Sequence, residues 1–179
     1  MVHRLDMDTS GVILAAKTPE VYKAMQRLFS LHEDVKKEYI AVLSGKVNEN
    51  DNKNENFSSS LTGEDRGGAL SLPLSADFYN RPRQIVDYES GKEAVTDYEF
   101  LSDRAVKLCP LTGRTHQLRI HCAHPDGLGM PILGDPLYGS ESSDRMYLHA
   151  TRLTFIHPVT GQKVTIESPL PEAFRNYLS

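Results

Sequence analysis

The segment His3-Arg4-Leu5-Asp6-Met7-Asp8-Thr9-Ser10-Gly11 places two carboxylates, a guanidinium and an imidazole within nine residues, just ahead of an apolar run. Positioned carboxylates can serve as general acid, general base or nucleophile. Polar groups held on a loop by a rigid scaffold are a common place for such work. An ordinary charged turn has the same composition, so spacing must discriminate. A kinase catalytic loop is excluded: Leu5 interrupts His-Arg-Asp, and no glycine-rich loop or Asp-Phe-Gly accompanies it. Ser10 breaks the Asp-Thr-Gly of an aspartic protease, and no Gly-x-Ser-x-Gly, His-Glu-x-x-His or phosphate-binding glycine loop occurs. A glycosidase needs two carboxylates several ångströms apart. Asp6 and Asp8 could supply them, but at this spacing they can share one face of an extended strand.

A second constellation is Gly113-Arg114-Thr115-His116-Gln117-Leu118-Arg119-Ile120-His121. A solvated helix start is the ordinary interpretation. However, the segment lacks carboxylates and lies among Leu108, Leu111, Leu118 and Ile120. Cations in such surroundings call for an anionic partner, either a phosphate or a protein carboxylate.

At 179 residues, 39% hydrophobic and 25% charged, the chain is long enough for one domain with a substantial core. The longest apolar run, Val12 to Ala16, is far too short to span a bilayer. The opening Met-Val-His-Arg-Leu-Asp has the character of neither a signal peptide nor a transit peptide. Two cysteines, Cys109 and Cys122, are too few for a disulfide framework and fit a reducing compartment, the cytoplasm. His121, Cys122 and His124 do not complete a four-ligand zinc set, so no metal is expected. A net charge of −4 argues against a general nucleic-acid binder. Positive charge is nonetheless local. Residues 111–125 carry Arg114, Arg119 and three histidines without a carboxylate, which leaves room for a basic cleft.

The elements that must position these groups follow from pattern. Val12 to Ala16 reads as a buried strand. Thr18-Pro19 reads as a helix cap with proline in the first turn. Val21, Met25, Leu28, Phe29 and His32 follow at helical spacing. Tyr39 to Leu43 has strand character. Residues 47–70 read as a polar loop insertion. A turn at Glu89-Ser90-Gly91-Lys92 follows Gln84 to Tyr88. Ala94 to Leu101 and Ala105 to Cys109 read as paired strands, and Leu148 to Ile156 with Lys163 to Ile166 as a hairpin. A short helix follows Pro171. Strands outnumber helices without regular alternation, so the predicted class is α+β.

Taken in order, His3-Arg4-Leu5-Asp6-x-x-Thr9-Ser10-Gly11, Lys37-x-Tyr39, Gly113-Arg114-Thr115-His116-Gln117-Leu118-Arg119-x-His121 and Pro131-Ile132-Leu133-Gly134-Asp135-x-x-Tyr138-Gly139 resemble the RluA-type pseudouridine synthases. Arg81-Pro82-Arg83-Gln84 with Gly91-Lys92-x-Ala94-x-Thr96 resembles the RluA-like branch. The resemblance covers residues 1–46 and 71 to about 171. It implies a mixed, mainly antiparallel sheet with flanking helices, and conversion of a uridine in an rRNA or tRNA stem-loop to pseudouridine without metal, nucleotide or other cofactor. It implies that Asp6 is the catalytic carboxylate, acting either on the sugar C1′ or by abstracting a sugar proton. Arg119 then pairs with Asp6, and Tyr39 packs against the uracil and serves proton transfer at C5. Arg4 would brace the space left by the flipped base, with Arg81, Arg83, Arg114 and His116 as RNA contacts. The family's strand-rich segment ahead of His-Arg-Leu-Asp is missing. Residues 1–179 are therefore expected to be an N-terminally incomplete catalytic domain with an uncovered sheet edge near Val12 to Ala16. A non-catalytic RNA-binding descendant is the alternative, and an unrelated carboxylate hydrolase a distant third.

Overall fold

The computed structural model describes residues 1–31, 34–45, 66–139 and 141–178. Nine strands and three helices are present among them: β1 (Ser10–Gly11), α1 (Pro19–Leu31), β2 (Val35–Val42), β3 (Gly67–Ser71), β4 (Leu74–Ala76), β5 (Gln84–Val86), β6 (Val95–Phe100), β7 (Ala105–Pro110), α2 (Gln117–Ala123), β8 (Leu148–Ile156), β9 (Lys163–Glu167) and α3 (Glu172–Arg175). Seven strands form one sheet in the order β1-β8-β2-β7-β6-β3, with β9 also on β8, while β4 and β5 form a separate ribbon. The free side of β8 is divided: β1 takes His149 and Ala150, and β9 takes Arg152 to Ile156. All pairings are antiparallel except β1 with β8. The α+β class and its mainly antiparallel sheet are as the sequence implied.

Helix α1 starts where Thr18 and Pro19 dictate. The Val21 amide donates to Thr18 Oγ1 at 3.3 Å, and the Tyr22 amide to the Thr18 carbonyl at 3.0 Å. Its apolar stripe of Val21, Met25, Leu28 and Phe29 packs on Val12, Val35, Leu153 and Phe155. A larger core gathers Ala41, Val42 and Leu43 with Val106 and Leu108, Leu118 and Cys122 of α2, and Phe174 of α3. His32 lies outside the described residues, as do positions 47–65 of the polar insertion.

Two expectations are corrected. Val12 to Ala16 is extended but is not a ladder strand, since regular pairing covers Ser10 and Gly11 alone. Val12 still donates to the Ala150 carbonyl, and Leu14 accepts from the Val2 amide. Val12, Leu14 and Ala16 pack towards α1, while Ile13 is 46% exposed. The apolar run thus reflects burial of one face beneath a helix. Residues 67–70, counted in the polar insertion, are instead β3, paired along β6 from Gly67–Glu99 to Ser71–Val95. Gly-Gly-Ala-Leu carries little β propensity, so the backbone ladder and buried Leu70 determine it.

Candidate active site

The Asp6 carboxylate sits at the start of a tight turn. The Thr9 amide donates to the Asp6 carbonyl at 3.1 Å, and Asp8 takes a left-handed φ of 70°. Gly11, with φ 116°, presses directly on β8. A Cβ there would stand 2.2 Å from the Ala150 carbonyl oxygen, so no other residue closes this approach. His3 braces the same segment. Its Nε2 accepts the Leu14 amide at 3.1 Å and its ring stacks on Phe29 with centroids 5.0 Å apart. Burial lowers the His3 pKa, which suits a neutral acceptor nitrogen.

Asp6 faces a cavity of about 270 Å³, lined also by Arg4, Thr9, Lys37, Tyr39 and Arg114. Lys37 and Tyr39 are two apart on β2, the spacing that puts both on one face of a strand. The register of β2 against β8 shifts between Glu38 and Tyr39, a local irregularity at the point where the strand meets the cavity. Burial, reinforced by the negative charge of Asp6, pushes the Tyr39 phenol up to about 12. Burial also lowers the Lys37 pKa.

The cationic wall is built by α2. Gln117 is buried and fully engaged at its start. Its Oε1 accepts from Thr112 Oγ1 at 2.7 Å and the Arg114 amide at 3.0 Å, and its Nε2 donates to the Val95 carbonyl and Thr96 Oγ1 at 2.9 Å. The amide side chain thereby staples α2 to the ends of β6 and β7. Arg114 lies at the cavity with its Nε donating to the Glu93 carbonyl at 2.9 Å.

Arg119 makes its ion pair elsewhere than expected. Its Nε and Nη2 donate to the two oxygens of Asp135 at 2.7 and 2.6 Å, and both side chains are almost sealed from solvent. Among the described residues, no ion pair joins Arg119 to Asp6. Burial opposes the Arg119 charge, but the hydrogen bonds and charge of Asp135 outweigh it and raise the Arg119 pKa, with the charge of Asp6 adding a smaller push. The physical reason is that buried Asp135 has no solvent to hold its charge, and a bidentate guanidinium answers that need. Burial would push Asp135 up. The Arg119 hydrogen bonds and the amides of Leu137 and Tyr138 outweigh it and hold the carboxyl below its ordinary range.

Tyr138 ties this pair to the remaining arginines. The guanidinium carbons of Arg119 and Arg83 each lie 5.1 Å from its ring centroid. Its hydroxyl accepts the Gln84 amide at 2.7 Å and also hydrogen-bonds His116 Nδ1 at 2.9 Å, with the His116 tautomer deciding which of the two donates. His116 is buried, so burial lowers its pKa against the opposing pull of Asp6. Arg81 lies over the exposed Phe78 ring at 5.7 Å.

The cavity therefore brings together Asp6, Tyr39, Arg4 and Arg114. Arg119 and His116 stand behind it within reach of the Asp6 charge, and Arg81 and Arg83 flank the β5 ribbon rather than the cavity. Sequence reasoning gave no role to Lys37, Asp135 or Tyr138. An unassigned acid in the motif after α2 was the available signal for Asp135, since Arg119 demanded an anion. Among the described residues no group of three or more His, Cys, Asp or Glu is placed to hold a metal.

These features agree with the comparisons to known proteins. The family model for RNA pseudouridylate synthases matches residues 1–124. A dual-specificity RNA pseudouridine synthase RluA of Haemophilus ducreyi is 41% identical over 175 residues, covering 93% of this chain and 71% of the relative. The RluA of Escherichia coli is 40% identical over 177 residues, covering 94% and 72%. Human RNA pseudouridylate synthase domain containing 1 superposes with a TM-score of 0.71 at 28% identity, over 94% of this chain and 67% of that one. The chain belongs to the RNA pseudouridylate synthase family, isomerases that turn uridine into pseudouridine within RNA.

Proposed function

We propose that the chain isomerises a uridine in a structured rRNA or tRNA loop, with Asp6 as the catalytic carboxylate. The observation that carries this is the sharing of one cavity by Asp6, Tyr39, Arg4 and Arg114. The net change is balanced within the nucleotide. The N1–C1′ bond breaks, a C5–C1′ bond forms, and the proton lost from C5 is matched by one gained at N1. Asp6 acts at the sugar as an ionised group. Tyr39, whose phenol is pushed up to about 12, enters as the O–H form at neutral pH. It can take the C5 proton only as its own proton passes on through solvent, and N1 is the position that gains a proton in return, so Asp6 ends the cycle ionised as it began. Arg119, held by Asp135, keeps positive charge behind Asp6.

The target base must leave its stack, at a cost of a few kcal/mol that is lowest in loops. Arg4, exposed at the cavity, is the group to occupy the vacated space. Arg114, Arg81 and Arg83 supply phosphate contacts. The relatives' names carry dual specificity for RNA, and for this chain rRNA and tRNA are the two classes proposed, in the cytoplasm. No helix of the described residues is long and apolar enough to cross a membrane. Tritium release from RNA labelled at uridine C5 tests the proposal. Release with wild type and none with Asp6→Ala supports it, whereas RNA binding without release by either would favour a non-catalytic RNA-binding descendant.

A further inference from the structure

The turn that carries Asp6 runs into Ser10, whose hydroxyl is held from two distant parts of the chain. Arg145 Nη2 donates to Ser10 Oγ at 2.7 Å, and Ser10 Oγ lies 2.8 Å from His149 Nδ1. Arg145 must be the donor in its bond to Ser10, while the Ser10 hydroxyl can either donate to His149 Nδ1 or accept from it, and in both cases the contact joins the two side chains. His149 is 3% exposed and both it and Arg145 rest on the fully buried Phe174 ring, with the Arg145 guanidinium carbon 5.3 Å and the His149 centroid 6.0 Å away.

Arg145 also reaches the second acidic turn. Gly134, with φ 73°, lies so close to the Arg145 carbonyl that a Cβ would stand 1.9 Å from its oxygen. The next residue is Asp135, which holds Arg119. One residue therefore touches the turn carrying Asp6 through its side chain and the turn carrying Asp135 through its backbone.

We propose that Arg145, Ser10 and His149 form a positioning network that sets the distance between the Asp6 carboxylate and the Arg119–Asp135 pair. None of the three touches the reacting atoms in this account. The network acts through Asp6, so the proposal rests on Asp6 being the catalytic group. A hydrogen-bonded chain fixes a turn more closely than packing alone, and a displacement of about 1 Å at a catalytic group can cost about a hundredfold in rate.

The test compares Ser10→Ala, Ser10→Thr, Arg145→Met and the Ser10→Ala/Arg145→Met double variant by single-turnover pseudouridine formation at saturating RNA, RNA affinity and thermal melting. Ser10→Ala is expected to slow the step by about 10- to 100-fold with RNA affinity changed less than about threefold. Ser10→Thr should restore most of the rate, and the double variant should be no slower than Arg145→Met. Multiplying losses, a weaker RNA affinity with unchanged rate, or a wild-type rate for Ser10→Ala would overturn the proposal. Nitrogen-15 NMR of the His149 ring adds a readout independent of activity. Ring nitrogen shifts that move in Ser10→Ala and in Arg145→Met support the network, and shifts unmoved in both refute it. A network confirmed in this way in a wild type that forms no pseudouridine would count against the proposed reaction instead.

Discussion

Arg119 grips Asp135 through two parallel hydrogen bonds while Asp6, the acid at the cavity, influences the same guanidinium only through charge. The division separates holding the arginine from using it. Had Asp6 made the bidentate pair, its oxygens would be engaged before substrate arrived.

Removing one partner of this buried pair should be costly. Arg119→Met and Asp135→Leu are each expected to lower unfolding free energy by about 3–5 kcal/mol, because a buried charge is left alone. The double variant should recover much of that loss while remaining inactive. Urea denaturation of the four proteins measures both numbers, and strictly additive losses would contradict the pairing. The Asp135 carboxyl is held low, so its contribution is present at neutral pH and is lost as pH falls below the ordinary carboxylate range.

Asp6→Asn keeps shape and removes charge. Pseudouridine formation should disappear, while RNA affinity stays within a few fold and the melting temperature barely changes. Retained turnover in that variant, measured by tritium release, would remove Asp6 from its role.

His121 gives the pH dependence of stability. It is fully buried, neither ring nitrogen has a hydrogen-bond partner among the described residues, and burial lowers its pKa from 6.5 to about 4. Between those values the unfolded chain binds the proton and the folded chain does not. Stability from this group is therefore complete above pH 6.5 and falls on acidification, by about 3 kcal/mol at pH 4. His121→Leu should flatten the curve of unfolding free energy against pH over this interval.

Arg114, exposed at the cavity, should act on RNA rather than on the fold. Arg114→Met is expected to weaken binding and reduce the slope of log affinity against log salt by about one unit. An unchanged slope would assign the arginine to its Glu93 carbonyl bond alone.

Gly11→Ala should destabilise the protein by about 3 kcal/mol. The substitution combines a left-handed φ with a Cβ driven into the Ala150 carbonyl, and calorimetry would show it.

Much of this was legible before the structure. Thr18-Pro19 marked the helix start, because capping is local chemistry. The α+β class followed from strand periodicity, and the quoted motifs brought Asp6, Tyr39 and Arg114 into one argument. The Arg119 partner was not legible, since an arginine's demand for an anion is written in sequence but the choice between Asp6 and Asp135 is made by tertiary approach. Val12 to Ala16 misled for a related reason: an apolar run reports burial, and the burying surface was α1 rather than neighbouring strands on both sides. β3 was hidden because its ladder with β6 is made by backbone, and Gly67-Gly68 advertises none of it.

The shortness of β1 sets the local unfolding free energy of the acid-bearing turn. Only Ser10 and Gly11 are in register with β8. Opening the turn breaks these two pairings, the Val12 bond to Ala150 and the Ser10 side-chain bonds, but leaves the ladders of β2 with β7 and β8, which enclose the buried residues Ala41 and Val42. Amide protons from Met7 to Val12 should thus exchange with deuterium by sub-global opening, far faster than those of central β2. Bound RNA, by closing that opening, should slow their exchange selectively. On that expectation the segment that carries Asp6 opens independently of the rest of the sheet, and RNA occupancy and its closure favour one another.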